Sequence, residues 1–222
     1  MSPPKANWLE PYERLLDACG PQHWWPGDTP FEVMVGAILT QNTAWSNVER
    51  AIANLKASGR LSCRGILSLG DATLAELIRP AGYFNVKARR LKALCAFLAD
   101  RGVAAAPERL RALAPLPDLR RQLLAVHGVG EETADSILLY ALGLPVFVVD
   151  AYTRRIFSRL GLIAGDEPYA RIQQSFEAAL PREVALYNEY HALIVHHGKT
   201  VCRPQPRCHE CPLHDICLQA QT

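Results

Sequence analysis

A pair of glycines and one aspartate are the residues best suited to chemistry in this sequence. Gly128 and Gly130 separate two segments with the apolar spacing of helices, and Asp150 follows twenty positions after Gly130. Glycines at alternate positions let the backbone turn with positive φ and approach a partner closely. The amides of such a turn, next to a helix N-terminus, favour a phosphate oxygen. The motif therefore predicts a turn that binds phosphate.

Asp150 lies where a carboxylate would keep its charge. It ends the apolar run 144–149 and precedes a helical pattern that begins at Ala151. An aspartate at this point predicts a helix N-cap, and the helix dipole favours its ionised form. Each feature alone is ordinary, because Gly-x-Gly turns are common and most such aspartates only cap a helix. The combination of a phosphate-binding turn with a placed carboxylate indicates an enzyme that acts on nucleic acid.

The composition limits the size and setting of the protein. With 222 residues, 49% of them hydrophobic, the chain can form one large or two small domains. The net charge of +2 restricts any nucleic-acid surface to a local patch. Three isolated cysteines, Cys19, Cys63 and Cys95, are expected to be buried, reduced thiols. No secretion signal opens the chain and no apolar run could span a bilayer, so we expect a cytoplasmic protein without membrane contact.

Helix start and stop signals occur along most of the sequence. Thr29 to Glu32 has a capping-box pattern with proline at the first helical position, and a nearly continuous apolar segment follows. Further helices are expected to begin near residues 44, 71, 85, 107, 117, 150, 166 and 181. The β-branched stretch 146–149 is too short to build a sheet. We therefore predict an all-α fold.

Four cysteines close the chain with the spacing C-x5-C-x2-C-x5-C. They are Cys202, Cys208, Cys211 and Cys217. Four thiolates satisfy a tetrahedral zinc ion or a four-iron, four-sulfur cluster equally well. The single tight C-x2-C pair argues modestly against zinc, since zinc ribbons usually have two, and disulfides are not expected inside a cell. Arg203 and Arg207 lie between the first two cysteines, where they are either simply solvated or in contact with DNA phosphates.

These features together resemble the helix-hairpin-helix DNA glycosylases, the superfamily that includes endonuclease III. The resemblance extends from Trp24 to Cys217 and is carried by segments 30–43, 82–88, 128–134 and 148–150 and by the cysteine block. Within the superfamily, the chain is most similar to the 3-methyladenine DNA glycosylase III group. That similarity lies in Trp-Trp-Pro at 24–26, Leu-Thr-Gln-Asn-Thr at 39–43 and the carboxylate-bearing hairpin.

The resemblance implies an architecture and a mode of action. It implies two helical domains with a DNA-binding cleft between them, and a damaged nucleotide that is flipped out before excision. A six-helix domain with the helix-hairpin-helix is expected over residues 28–140. A second helical domain is expected to combine residues 1–27 with 141–222 and to end in the cluster loop 202–217. Members of the superfamily generally act on double-stranded DNA as monomers.

The resemblance also assigns roles to individual residues. Asp150 becomes the catalytic carboxylate, and the four terminal cysteines become ligands of a [4Fe-4S] cluster rather than of zinc. The base pocket is expected to contain Trp24, Trp25 and Trp45. The expected DNA contacts are Asn42, Lys87, Gly128, Gly130, Lys199, Arg203 and Arg207. Trp25 and Trp45 have the alternative role of simple packing, and Asn42 that of a helix cap.

Two departures from the superfamily pattern bear on the reaction. Bifunctional members carry a lysine nucleophile where this chain has Glu132, and adenine-removing relatives carry a glutamate where it has Ala37. Because a carboxylate cannot form a Schiff base, strand cleavage by that route is lost. The sequence thus predicts a monofunctional glycosylase for alkylated purines such as 3-methyladenine. The alternatives are a monofunctional uracil or thymine mismatch glycosylase, a non-catalytic DNA-structure-binding protein, and a lyase that uses Lys199 or Lys87.

Overall fold

The computed structural model describes residues 7–221, which form helices joined by turns and no strand. The predicted all-α fold is confirmed. In chain order the helices are α1 (Glu10–Cys19), α2 (Pro30–Leu39), α3 (Trp45–Ala57), α4 (Cys63–Leu67), α5 (Asp71–Leu77), α6 (Phe84–Asp100), α7 (Leu116–Leu124), α8 (Glu131–Ser136), α9 (Ala151–Arg159), α10 (Tyr169–Ala179) and α11 (Val184–Thr200). A π-helical turn, Ile137–Ala141, continues α8. No helix in the described part of the chain is long and apolar enough to cross a membrane.

The described residues divide into two compact units. The hairpin unit is Pro26–Leu144, and the cysteine unit combines residues 7–25 with 145–221. The boundaries predicted from the sequence are 28–140 and 1–27 with 141–222, and of these residues 1–6 and 222 lie outside the described residues. The hairpin unit, which is described throughout, contains seven α-helices, among them the short helix Cys63–Leu67, which was not predicted.

The apolar helix α2 lies at the centre of the hairpin unit. Every residue from Phe31 to Leu39 is buried, and α2 packs against α3, α6, α8 and the π-helical turn. The Thr29 hydroxyl caps the helix by accepting a hydrogen bond from the backbone N–H of Glu32 at 3.2 Å. The predicted capping box is only half formed, because the Glu32 carboxylate instead pairs with Lys56 at 2.8 Å. This buried helix fixes the position of the turn that follows it.

Aromatic rings form much of the core of the cysteine unit. Phe176 of α10 stacks on Phe147 with ring centroids 4.0 Å apart. Its ring also meets those of Trp8 and Phe157 edge-on, at centroid distances of 4.8 and 4.6 Å. Because these rings come from distant parts of the chain, they hold the segment that contains Phe147 firmly against α10.

The segment 146–149 has no regular secondary structure and belongs to no sheet, as predicted. Side chains of α10 satisfy its backbone groups instead of a neighbouring strand. Glu177 accepts a hydrogen bond from the Phe147 N–H at 2.9 Å, and Gln173 donates one to the Phe147 carbonyl at 2.6 Å. The segment therefore delivers Asp150 to the start of α9 along a fixed path.

Candidate active site and nucleic-acid interface

The glycine motif forms a turn between two helices, as predicted. α7 ends at Leu124 and α8 begins at Glu131, so residues 125–130 make the connection. Gly128 has a φ of +82°, which L-residues with a side chain rarely adopt. Gly130 has an extended backbone and is the N-cap residue of α8. The turn therefore presents backbone amides at the start of a helix, where an anion is favoured.

An ion pair joins the two helices of this hairpin. Arg120 on α7 donates to both carboxylate oxygens of Asp135 on α8, at 2.7 and 3.0 Å. Asp135 is fully buried, and the carboxylate of Glu131 also lies 3.5 Å from Arg120. A bidentate pair between arginine and carboxylate fixes orientation as well as distance. The pair therefore sets the angle between the helices that carry the glycine turn.

Two residues outside the two hairpin helices support the glycine turn through a hydrogen bond and close packing. Gln41, in the turn after α2, donates from Nε2 to the Gly128 carbonyl at 3.0 Å and to the Thr133 hydroxyl at 2.9 Å. Arg90 of α6 donates from Nη1 to Oε1 of Gln41. A Cβ atom at position 128 would lie 2.2 Å from Cγ of Arg90. Glycine is thus needed at this position for the close approach of Arg90 as well as for the positive φ.

The turn after α2 exposes Asn42, the neighbour of Gln41. Asn42 is exposed and has a φ of +53°, in the left-handed region that asparagine tolerates. It is not a helix cap, because α3 begins at Trp45 and its N-cap residue is Ala44. The structure therefore excludes the cap role for Asn42.

An exposed aromatic residue lies near the same turn. Tyr83 is 71% exposed, the highest value among the large hydrophobic residues in the described part of the chain, and its φ is +45°. A Cβ atom at the preceding Gly82 would lie 3.9 Å from the hydroxyl oxygen of Thr43. Tyr83 was not among the predicted site residues, although the segment 82–88 carried part of the family resemblance. Its exposure next to the Asn42 turn makes it a candidate DNA contact.

Lys87 is a structural residue, and its predicted contact with DNA is wrong. Its side chain is buried, and Nζ donates hydrogen bonds of 2.8 Å to the carbonyls of Leu39 and Ala81. Burial lowers the pKa of Lys87 to about 8, and the charge of Arg90 contributes in the same direction. An amine enclosed in this way cannot reach a phosphate. It ties the end of α2 to the segment before α6.

Asp150 is the N-cap residue of α9, as predicted. Its Oδ1 accepts hydrogen bonds from the backbone N–H of Thr153 at 2.7 Å and from the Thr153 hydroxyl at 2.8 Å. The Asp150 N–H donates back to the Thr153 hydroxyl at 3.4 Å, which completes a capping box. The Asp150 side chain is 10% exposed. One carboxylate oxygen is thus used by the helix cap, and Oδ2 remains for chemistry.

His191 on α11 faces this second oxygen. Its Nε2 lies 3.7 Å from Oδ2 of Asp150, and its side chain is buried. Burial lowers the pKa of His191; the charge of Asp150 raises it, and that of Lys199 lowers it, with a lowered pKa as the net result. A histidine with a lowered pKa is neutral at neutral pH. His191 therefore leaves the negative charge of Asp150 unneutralised.

Two tryptophans and a lysine lie in the same unit as this carboxylate. Trp24 and Trp25 meet edge-on with ring centroids 5.4 Å apart, and Nζ of Lys199 lies 5.8 Å from the Trp24 ring centroid. Lys199 follows His191 by eight positions on α11, which places both residues on one face of the helix. Trp45 is the first residue of α3 in the hairpin unit. The base-pocket role of all three tryptophans stays a prediction.

The four terminal cysteines surround one cavity. All four cysteines line it, and the space between atoms there, part of which opens to solvent, is about 320 Å³. Within residues 7–221, no three His, Cys, Asp or Glu side chains are arranged to hold a single metal ion. Burial and the three neighbouring thiols raise the pKa of Cys211 to about 11, so a thiolate at this residue would need a bound cation. Four thiols around one cavity are a donor set that a zinc ion or a four-iron, four-sulfur cluster can use.

Two arginines of α9 attach the cysteine loop to the helix that begins at Asp150. Arg155 donates to the carbonyls of Gly198 and Cys202, at 2.8 and 2.9 Å. Arg159 donates to the Arg203 carbonyl at 2.7 Å and to Sγ of Cys202 at 3.2 Å. Both side chains are therefore committed to the loop, and α9 is a direct connection between the carboxylate and the cysteines.

The predicted DNA contacts of the cysteine unit are exposed. Lys199, Arg203 and Arg207 all have side chains at the surface, and Arg207 lies 3.7 Å from Glu210. Exposed cations of this kind can contact phosphates or can simply be solvated. Their contact with DNA stays a prediction.

The residues that support these sites were mostly not predicted. Thr153 has a local signal, since the spacing Asp-x-x-Thr at a helix start is typical of a capping box. Arg155 and Arg159 are four positions apart and therefore share one face of α9. Gln41 and Arg90 have no local signal, because their partners lie far away along the chain.

This chain is similar to several known DNA repair proteins. Residues 35–182 match the HhH-GPD superfamily of base excision DNA repair proteins. A putative DNA repair glycosylase of Methanocaldococcus jannaschii is 51% identical over 93% of this chain and 94% of its own length. An endonuclease III of Treponema pallidum is 31% identical over 92% of both chains.

One solved structure with a similar fold has a bound base. It is the crystal structure of the H. pylori 3-methyladenine DNA glycosylase MagIII bound to 1,N6-ethenoadenine. The two chains are 30% identical with a TM-score of 0.72, and the match covers 86% of this chain and 94% of MagIII.

Proposed function

Because this chain belongs to the HhH-GPD superfamily of base excision DNA repair proteins, we propose that it is a monofunctional DNA glycosylase for alkylated purines such as 3-methyladenine. The observation that carries the proposal is the geometry of Asp150, whose Oδ1 caps α9 while Oδ2 faces the buried His191. We expect the enzyme to act as a monomer on damaged double-stranded DNA in the cytoplasm.

Asp150 has the properties that hydrolysis of a glycosidic bond requires. The base leaves with the electron pair of the C1′–N bond, so positive charge develops on the sugar. The carboxylate stabilises that charge and takes a proton from the water that adds to C1′. A purine alkylated at N3 or N7 is already cationic and leaves as a neutral molecule. It needs no general acid, which agrees with alanine at position 37.

The tryptophans of the cysteine unit would select a cationic base. Stacking of a charged purine on an indole contributes about 0.5–2 kcal/mol per well-placed ring. Trp24 and Trp25 are both partly exposed, and Lys199 lies over Trp24. The base would therefore stack on the Trp24 face away from Lys199. The similarity to MagIII, a 3-methyladenine DNA glycosylase, supports this substrate class.

The hairpin unit would bind the DNA backbone and fill the gap left by the flipped base. The amides of Gly128 and Gly130 would bind a phosphate without reading sequence. Asn42, exposed on a left-handed turn, would enter the gap in the stack. Tyr83 would insert between neighbouring bases, as apolar side chains do in other proteins that bend DNA.

The four terminal cysteines would hold a [4Fe-4S] cluster. When bound, the cluster supplies four strong bonds that fold the loop, and no electron transfer is needed for hydrolysis. Arg155 and Arg159 would then hold the folded loop against α9, with Arg203 and Arg207 towards DNA. Iron and sulfide analysis of the purified protein tests the assignment. Stoichiometric zinc without iron would contradict it.

The proposal also excludes a lyase step. Glu132 occupies the lysine position of bifunctional relatives, and Lys87 is buried between two carbonyls. Lys199 remains as a candidate nucleophile, because its Nζ lies 5.8 Å from the Trp24 ring centroid. Borohydride trapping checks this point: we expect no covalent protein–DNA adduct. An adduct that disappears in Lys199→Met would show that the enzyme is a lyase.

Base release from a panel of duplexes tests the substrate class. We expect 3-methyladenine to be released from methylated DNA, with strand breaks only after alkali is added. Release from G·U or G·T duplexes without release of methylpurines would favour the mismatch glycosylase. Binding without any base release would favour a non-catalytic DNA-binding protein.

A further inference from the structure

Gln41 connects two parts of the hairpin unit that the proposed function uses separately. It precedes Asn42, and its side chain binds the carbonyl of Gly128 at 3.0 Å. The Gly128 carbonyl lies in the turn proposed to bind phosphate, whereas Asn42 is proposed to fill the gap in the DNA base stack. Glycosidic bond cleavage itself requires no such link.

We propose that Gln41 and Arg90 are positioning residues that couple the glycine turn to the Asn42 turn. When the glycine turn binds the phosphate backbone, this coupling keeps Asn42 in position to fill the gap left by the extruded base. The inference rests on the proposed function, in which Asn42 enters the DNA and the glycine turn binds its backbone.

The Gln41 side chain is held at both ends of its amide. Its NH₂ group donates to the Gly128 carbonyl and to the Thr133 hydroxyl, and its carbonyl oxygen accepts from Arg90. Only an amide side chain has both donors and an acceptor in this arrangement, since a carboxylate has no donor and an amine has no acceptor. Glutamine is therefore specific to this network and not merely polar.

Arg90 fills the space directly behind the glycine turn. A Cβ atom at Gly128 would lie 2.2, 2.5 and 2.7 Å from Cγ, Cδ and Nε of Arg90. The turn, the guanidinium group and the Gln41 amide thus form one contiguous packed unit. A displacement of the glycine turn must therefore move the Gln41 side chain, and the backbone of Asn42 follows directly.

Arg89 provides a matched control on the same helix. It is adjacent to Arg90 in sequence and is exposed, and its charge acts on Asp71. Substituting either arginine removes one positive charge from α6. Only the substitution of Arg90 removes a contact with Gln41.

Fluorescence of 2-aminopurine measures the coupling. The probe is a duplex with 2-aminopurine opposite a stable abasic-site analogue, and its signal rises when the stack at the site is opened. The affinity for this duplex is compared with that for undamaged duplex. Gln41→Glu keeps the size of the side chain and an acceptor for Arg90 but loses both donors. We expect it to reduce the preference for the abasic duplex about tenfold, as two lost hydrogen bonds would, and to lose most of the signal.

The conservative variants separate positioning from folding. Thr133→Val removes the hydroxyl that Gln41 binds, and Thr133→Ser keeps it. If Gln41→Glu does not fold, these two variants test the coupling instead. Thr133→Val should lose the preference for the abasic duplex and the fluorescence rise, and Thr133→Ser should retain both. Arg90→Met should lose as much preference for the abasic duplex as Gln41→Glu does, whereas Arg89→Met should match the wild type. The double variant Gln41→Glu with Arg90→Met should lose little more than either single variant, because both substitutions break the same contact.

The outcomes distinguish this inference from the proposed function. Three results would each overturn the coupling. Gln41→Glu or Thr133→Val could keep the wild-type preference for the abasic duplex and the wild-type fluorescence rise. Arg89→Met and Arg90→Met could lose that preference equally, or the losses in Arg90→Met and Gln41→Glu could add in the double variant. A wild-type protein that gives no fluorescence rise would also overturn it. A wild-type protein that opens the stack but releases no alkylated base would contradict the proposed function and leave the coupling in place.

Discussion

The carboxylate site and the glycine hairpin differ in how far along the chain their supports lie. Asp150 is held by Thr153, three positions away in the same helix. The Gly128 carbonyl is held by Gln41, 87 positions away, and the turn is backed by Arg90 of another helix. The cap that orients the carboxylate is therefore local to α9. The glycine turn takes its position only when the whole hairpin unit is packed.

This difference separates chemistry from binding. Changes to the packing of the hairpin unit should weaken DNA binding or stability and leave the Asp150 cap intact. Changes to Asp150 should stop the reaction and leave binding intact. Variants of single residues can test each side.

The largest effect on stability is expected from Arg120→Met. It leaves the fully buried carboxylate of Asp135 without its bidentate partner, and the loss of one member of a buried pair costs about 3–5 kcal/mol. Urea unfolding measures the loss. Arg121→Met is the control, since Arg121 is adjacent and exposed, with a pair to Asp118 at the surface.

The double variant sharpens this test. Arg120→Met with Asp135→Leu removes the buried charge as well, and it should recover most of the lost stability. If Arg120→Met unfolds at the same urea concentration as Arg121→Met, the pair does not hold the hairpin.

A smaller loss is expected from Lys87→Met. The substitution leaves the carbonyls of Leu39 and Ala81 without their donor, which should lower the free energy of unfolding by about 2 kcal/mol at pH 7. DNA affinity measured on the folded variant should not change, because Lys87 is buried. A drop in DNA affinity without a drop in stability would restore its predicted role as a phosphate contact.

The pH dependence of the same variant has a definite sign. The pKa of Lys87 is about 8 in the folded protein, below its ordinary value of 10.5. Between these values the unfolded chain binds more protons than the folded one, so Lys87 makes the wild type gain stability as pH rises. The stability difference between wild type and Lys87→Met should therefore widen above pH 8. A difference that narrows over this range would contradict the lowered pKa.

A still smaller effect is expected from Gly128→Ala. A left-handed residue with a Cβ atom costs about 1–2 kcal/mol, and the methyl group would also displace Arg90. Gly130→Ala is the matched control, because Gly130 is extended and its added Cβ would meet no atom within 4 Å. The DNA affinity and the midpoint temperature of thermal unfolding should both fall for Gly128→Ala and hardly change for Gly130→Ala. Equal behaviour of the two variants would remove the special role of position 128.

Local contacts explain why much of the carboxylate site could be predicted from the sequence. The apolar run before Asp150 and the helical pattern after it are enough to predict an N-cap, and the glycines are enough to predict the hairpin turn. The partner of Oδ2, His191, comes from another helix and has no such signal. The same holds for Gln41, whose contacts depend on how distant helices pack.

The basic residues of α6 show most clearly what could not be predicted from the sequence. Lys87 lies in a segment that carries the family resemblance and was predicted to bind DNA, whereas Arg90 was not among the predicted site residues. In the structure Lys87 is buried beneath two carbonyls, and Arg90 contacts the glycine turn. The two residues are three positions apart on one helix, and which of them is buried depends on how α2 and the segment before α6 pack against that helix.

Asp150→Asn tests the separation of chemistry from binding most directly. Asparagine caps helices as well as aspartate does, so the Thr153 hydrogen bond and the fold should survive while the negative charge is lost. The measurement pairs single-turnover base release from methylated duplex with the dissociation constant for the same duplex. We predict that release slows about 1,000-fold while the dissociation constant stays unchanged. Release at the wild-type rate would contradict the catalytic role of Asp150.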